Sequence, residues 1–271
     1  MTTANTGELG AWVEGIGLIG PGFNDWPHAA AVLRGEAGYE PARCTLPVPP
    51  ALPPAERRRT GAAVRIALAV ATAASEASGR APSSLATVFS ASGGDGDNCH
   101  AICEVLASSE RFISPTRFHN SVHNAPAGYW SIAAQAMTAS TSLAAYDASF
   151  AAGLLEAVVQ VHAGRAPRLL IAYDTAYPEP LHAKRPIPDA FAVALVLVPD
   201  RTERAIARLG LALGDGATDR CANPVLETLR ASNPAARSLP LLTMLAQRRT
   251  GSVVVEYLAP PQLLVNVECP A

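Results

Sequence analysis

Apolar positions along the chain switch repeatedly between an alternating or continuous pattern and a three-to-four-residue spacing, which outlines strands and helices in turn. Residues 11–20, AWVEGIGLIG, read as a first strand. Asp25 is placed to cap a short helix, WPHAAAVLRGE, with Pro27 in its first turn, where proline is tolerated. The proline-rich segment 44–56, CTLPVPPALPPAE, predicts an extended surface loop. A long alanine-rich helix is expected over 62–78, a strand over 84–92, a glycine turn at GGDGD and a helix over 98–108.

A polar segment, 114–130, leads into the small-residue helix GYWSIAAQAM. The stretch SLAAYDASFAAGLLEA, 142–157, then reads as a strand running through a tight turn into a helix. Phe150, Leu154, Ala157, Val158 and Val161 recur at helical spacing and form a core-facing stripe. Asp147 is expected as the N-cap of that helix, and Gly164 as its left-handed end. Strands follow at 168–174 and 191–199, both apolar on two faces, which argues for a largely parallel sheet covered on both sides. From residue 205 the pattern is strand, two helices and two closing strands, a shorter copy of the same theme.

Composition narrows the function classes. Hydrophobic residues make up 49% of the 271 and charged residues only 16%, which suits a chain with much buried surface or a large partner interface. The net charge of −2 leaves no basic footprint for nucleic acid, and the run Arg57–Arg59 reads as a solvated helix start. No apolar run approaches membrane-spanning length, and the first residues show no signal-peptide pattern. Five cysteines without framework spacing read as reduced thiols, so a cytoplasmic location is expected.

Most chemical motifs fall away on inspection. GIGLIG, 15–20, matches the dinucleotide glycine pattern, but PGFND follows and no helix can start there, so no cofactor is expected. Cys99, His100 and Cys103 lack a second cysteine pair, and His119 and His123 lie in a loop-like segment, so no metal site is expected. No G-x-S-x-G occurs, and Ser149 at the turn is followed by Phe150 rather than a small residue.

Three stretches carry a resemblance. VEGIGLIGPGFNDWPHAAAVLRGEA (13–37), SPTRFHNSVHNAPAGYWSIA (114–133) and SLAAYDASFAAGLLEA resemble the β-ketoacyl synthases, the last lying where those enzymes carry a nucleophilic cysteine. The resemblance is closest to the short chain-length-factor-like branch of aryl polyene gene clusters. It implies an α/β, thiolase-like layered αβαβα sandwich, with a nearly complete first half (1–200) and a reduced second half (201–271). On that register Asp147 stands at the cysteine position, and a slip of one residue puts Tyr146 there. The two second-half histidines of the catalytic family also have no counterpart, since the last histidine is His182.

The resemblance therefore implies a non-catalytic subunit that forms a heterodimer with an active ketosynthase and meets an acyl carrier protein only indirectly. Thr138, Ser140, Thr141, Ser142, Leu143, Ala144 and Ala145 are the expected interface. Phe118, His119, Asn124, Ser149 and Phe150 are expected to border the substrate tunnel or the partner's site. Two other functions are compatible with the residues: acyl transfer or hydrolysis through a non-cysteine nucleophile, and homodimeric acyl-chain binding.

Overall fold

The structure is a computed structural model that describes residues 9–270. The first eight residues, part of the stretch read as lacking a signal peptide, lie outside it. In chain order the elements are β1 (Gly10–Ile19), α1 (Trp26–Arg34), α2 (Pro54–Arg57), α3 (Ala62–Ser78), β2 (Ala86–Ser90) and α4 (Gly96–Ala107). Next come α5 (Pro115–His119), α6 (Ala125–Ala134), β3 (Ser140–Leu143), α7 (Ser149–Gly164), β4 (Arg168–Asp174), α8 (Leu181–Lys184) and β5 (Phe191–Val198). The remainder is β6 (Ala207–Gly214), α9 (Pro224–Ser232), α10 (Leu239–Ala246), β7 (Gly251–Val255) and β8 (Gln262–Glu268).

The strands form one sheet in the order β3-β2-β4-β5-β1-β6-β8-β7. Only β2 runs parallel to its neighbours, β3 and β4; every other pairing is antiparallel. The expectation of a largely parallel sheet is thereby corrected. All eight residues of β5 are buried, because helices cover both faces of the sheet, and a two-sided apolar run looks the same whichever way the strand points.

Alternate residues of β4 show the layering. Leu169, Ile171 and Tyr173 join the cluster under α3, while Leu170 and Ala172 join the one that takes in residues of α7, α1 and α10. The predicted stripe of α7 is fully buried in this second cluster. That cluster also takes in Leu209, Leu242, Val253 and Val265, so the two stretches on either side of residue 200 share one core.

The glycines of GIGLIG serve packing. A Cβ at Gly15 would lie 2.2 Å from the Ala74 carbonyl oxygen, and one at Gly17 equally close to that of Val70. Their absence lets the α3 backbone rest directly on β1. Beside them Glu14, buried in the same strand, accepts from Arg80 Nε at 2.5 Å and from Thr202 Oγ1 at 2.6 Å, tying the end of α3 to the entry of the second half.

Local signals held at α1, where Asp25 accepts from the His28 N–H at 2.8 Å as the N-cap. They failed at the ends of α7. Its N-cap position is Ala148, with no side-chain cap, and the left-handed residue at its C-terminus is Arg165, φ 45°, one beyond Gly164. No helix among the described residues is long and apolar enough to cross a membrane.

Candidate functional site at the turn between β3 and α7

The chain leaves β3, a four-residue strand at the edge of the sheet, and enters α7 through a single 3-10 turn, Tyr146–Ala148. Tyr146 sits there at φ 52°, a left-handed conformation uncommon outside glycine and costly unless its surroundings hold it. Ser149 supplies part of the hold. Its Oγ accepts from the Ala145 N–H at 3.0 Å and donates to the Tyr146 carbonyl at 2.7 Å, while its own carbonyl accepts from Ser90 Oγ at 2.5 Å. With 1% of its surface exposed, Ser149 is a structural clasp.

Asp147 is the next residue of the turn, and its carboxylate is committed elsewhere than to the helix. One oxygen accepts from Arg185 Nη2 at 2.6 Å and the other from Arg237 Nη2 at 3.0 Å. Arg185 also lies over the Tyr146 ring, its guanidinium carbon 3.7 Å from the ring centroid. Arg237 continues the chain of charges to Glu256. Glu256 is 3.7 Å from Arg230, and Arg230 is held bidentately by Glu227 at 2.8 and 2.7 Å. Together with Lys184 and Pro234, Tyr146, Asp147, Arg185 and Arg237 line an open cavity of about 610 Å³.

Behind this cavity wall lies Asp174, buried at the end of β4. Burial pushes its carboxyl up to about 7, against the opposing effects of the Ser92 hydroxyl and N–H and the Arg185 charge. Ser92 donates to one oxygen from both groups, at 2.5 and 2.9 Å. The other oxygen has no hydrogen-bond partner, and the nearby Ala235 N–H is bonded instead to Asn233 Oδ1 at 3.0 Å.

No thiol lines the cavity. Burial pushes the Cys44 thiol up to about 12 and that of Cys221 to about 11, and raises Cys99 and Cys269 as well. A nucleophilic cysteine requires the opposite shift. Among the described residues no group of three or more His, Cys, Asp or Glu is arranged to hold a metal ion.

The other residues singled out from the sequence are dispersed. Phe150 is in the core. Phe118 is 69% exposed on α5, and His119 beside it meets the Tyr129 ring edge-on at 6.1 Å. Asn124 shares a separate cavity of about 570 Å³ with His123, Ser140 and Ser142. Ser140, Thr141, Ser142 and Leu143 form β3, with Thr138 before it, donating to the Leu85 carbonyl at 2.8 Å, and Ala144 and Ala145 after it. Sequence reasoning missed Arg185, Arg237, Glu256 and Asp174. The two arginines that close on Asp147 stand 38 and 90 residues further on, with Glu256 beyond them on Arg237, and no local pattern marks them.

The family model described as the β-ketoacyl synthase N-terminal domain matches residues 32–254, well over half of the sequence. The chain belongs to the β-ketoacyl synthase family. None of the curated proteins matches it.

Among solved structures of synthase-like proteins, it resembles a chain of the ketosynthase (ApeO) in complex with its chain length factor (ApeC) from Xenorhabdus doucetiae. The TM-score is 0.72 at 23% identity, over 94% of this chain and 98% of that one. A chain of the ishigamide ketosynthase/chain length factor gives 0.74 at 14% identity, over 96% and 99%. A β-ketoacyl synthase from Burkholderia phymatum gives 0.59 at 12% identity, over 89% of this chain and 71% of that one. These likenesses establish the fold: a thiolase-like layered α/β sandwich whose second half is abbreviated.

Proposed function

We propose that this synthase-family chain is a non-catalytic, chain-length-factor-like subunit that pairs with a cysteine-bearing ketosynthase during elongation of an acyl or polyene chain. The observation that carries the reading is the turn itself. Tyr146 holds the strained position and Asp147 has both oxygens engaged by arginines. Condensation needs a thiolate to hold the acyl group and donors for the developing enolate oxyanion. The cavity offers no thiol, and no histidine follows His182 to supply those donors as in the catalytic family. The positive φ at Tyr146 favours that residue over Asp147 as the counterpart of the lost cysteine.

The extent of the structural matches supports the same reading. This chain spans 98–99% of chains in two complexes whose descriptions include a chain length factor, but only 71% of a synthase described alone. The edge strand β3 and its flanks, Thr138 to Ala145, form the proposed contact with the ketosynthase, with Phe118, His119 and Asn124 near the partner's site. An aryl polyene product, a cytoplasmic location and an indirect encounter with acyl carrier protein complete the proposal. Acyl transfer through Ser149 is disfavoured by its burial and its two hydrogen bonds.

Co-expression with cysteine-bearing ketosynthases of the same family, followed by affinity purification through a tag on this chain, tests the pairing. The expected result is one synthase recovered in equal amount; recovery of this chain alone from every combination would overturn the proposal.

A further inference from the structure

Helix α4 carries Cys99 and Cys103, four residues apart, a spacing that sets two side chains over one another on one helix face. Both thiols are free and exposed, and Cys103 is close enough to help raise the Cys99 thiol. Neither lines the cavity at Tyr146, and the function proposed above does not use them.

Distances decide what such a pair can hold. A disulfide wants Cβ atoms about 3.5–4.5 Å apart, whereas side chains at this helical spacing have Cβ atoms about 5–6 Å apart. A direct sulfur–sulfur bond would therefore strain the helix. Tetrahedral zinc needs four ligands, and among the described residues no third ligand completes a cluster. His100, the adjacent candidate, is turned toward Glu104, with Nε2 3.4 Å from Oε1.

A single thiophilic atom that needs only two sulfurs fits the gap. Bonds of about 2.3 Å, the zinc–thiolate length, at a near-tetrahedral angle would hold the sulfurs about 3.8 Å apart. Side chains whose Cβ atoms stand about 5–6 Å apart on one helix face can lean together to that sulfur separation. We propose that Cys99 and Cys103 form a two-thiol binding site for monosubstituted trivalent arsenicals.

The chemistry balances without an oxidant. With an arsine oxide as the ligand, two As–S bonds form and two S–H bonds break. The two protons leave with the arsenic-bound oxygen as one water, and arsenic stays trivalent. Burial, with Cys103 and Asp95 close by, raises the Cys99 thiol, so it enters the reaction as S–H, the form the condensation consumes.

Phenylarsine oxide is the probe. Arg80 and Arg111 bound a tryptic peptide that contains both cysteines and no other, so the site can be read by mass in the purified chain or in its complex. The expected result is one phenylarsenic per peptide, blocking both thiols to N-ethylmaleimide and released by excess dithiol. Cys99→Ser and Cys103→Ser should each weaken retention by ~100-fold or more, the effective-concentration advantage of a second attachment. Circular dichroism verifies that both variants fold. Retention unchanged in the single variants, or no adduct on thiols that N-ethylmaleimide does label, would overturn the assignment. So would resistance of both thiols to N-ethylmaleimide before the arsenical is added, since the pair would then not be accessible.

Discussion

Asp147 and Arg237, ninety residues apart, meet at 3.0 Å and join the turn before α7 to the second half of the chain. Arg237 is nearly buried and Asp147 about one-third exposed, so the contact is only partly screened by water. On the register proposed above, the turn stands where the family's enzymes carry their reactive cysteine, and here it closes in an ion pair with the second half.

Removing the carboxylate should therefore loosen the turn. Asp147→Ala leaves two arginines facing each other without a counter-charge and is expected to cost about 1–2 kcal/mol, discounted for exposure. Urea unfolding measures this. A double-mutant cycle with Arg237→Ala should return a coupling of about 0.5–1.5 kcal/mol; additive losses would show that the contact carries no energy.

Glu14 makes stability fall in acid. Burial alone would raise its carboxyl, but the bonds from Arg80 and Thr202 and the charges of Arg80 and Arg204 outweigh it and hold the group below the ordinary range. A depressed carboxyl contributes stability above its unfolded-state pKa and loses it as pH falls through the folded value. Glu14→Gln should be less stable than the parent at neutral pH, by about 2 kcal/mol for a broken buried charge-assisted bond. The gap should narrow below about pH 4, as followed by urea midpoints against pH.

Asp174 acts with the opposite sign. Its carboxyl is raised to about 7, so the stability linked to its protonation is complete below the unfolded-state pKa and is lost as pH rises toward 7. Relative to Asp174→Asn, the parent should lose stability between about pH 4 and pH 7, by at most about 4 kcal/mol for a shift near three units. Thermal melts of both proteins across that range test it; a constant difference would contradict the raised value.

The glycines separate packing from propensity. Gly17→Ala pushes a methyl against the Val70 carbonyl and should cost about 2–3 kcal/mol through displacement of α3. Gly128→Ala, inside α6 with nothing within 4 Å of the new atom, should stabilise by about 0.5–1 kcal/mol. Melting temperatures should move in opposite directions.

Local chemistry was readable in the sequence wherever one element decided the outcome. The stripe Phe150, Leu154, Ala157, Val158 and Val161, the Asp25 cap and the strand–turn–helix at 142–157 all required only spacing. Strand direction was not readable, because β5 is buried on both faces and its apolar run carries no polarity of direction. Asp147 was misread as a cap for a related reason. A carboxylate next to a helix start satisfies the local rule, and only the fold brings Arg185 and Arg237 to outbid the backbone N–H groups. Tyr146 was named as one of two registers, and its φ of 52° is a property of the folded turn that no residue type announces.

Under the proposed function this chain by itself forms no carbon–carbon bond. The direct measurement is carbon dioxide release and product mass when the purified single chain receives an acyl thioester and malonyl carrier protein. The expected result is a background rate, raised to synthase levels only when a cysteine-bearing partner is added. Elongated product from the single chain, abolished by Asp147→Asn or Tyr146→Phe, would contradict it.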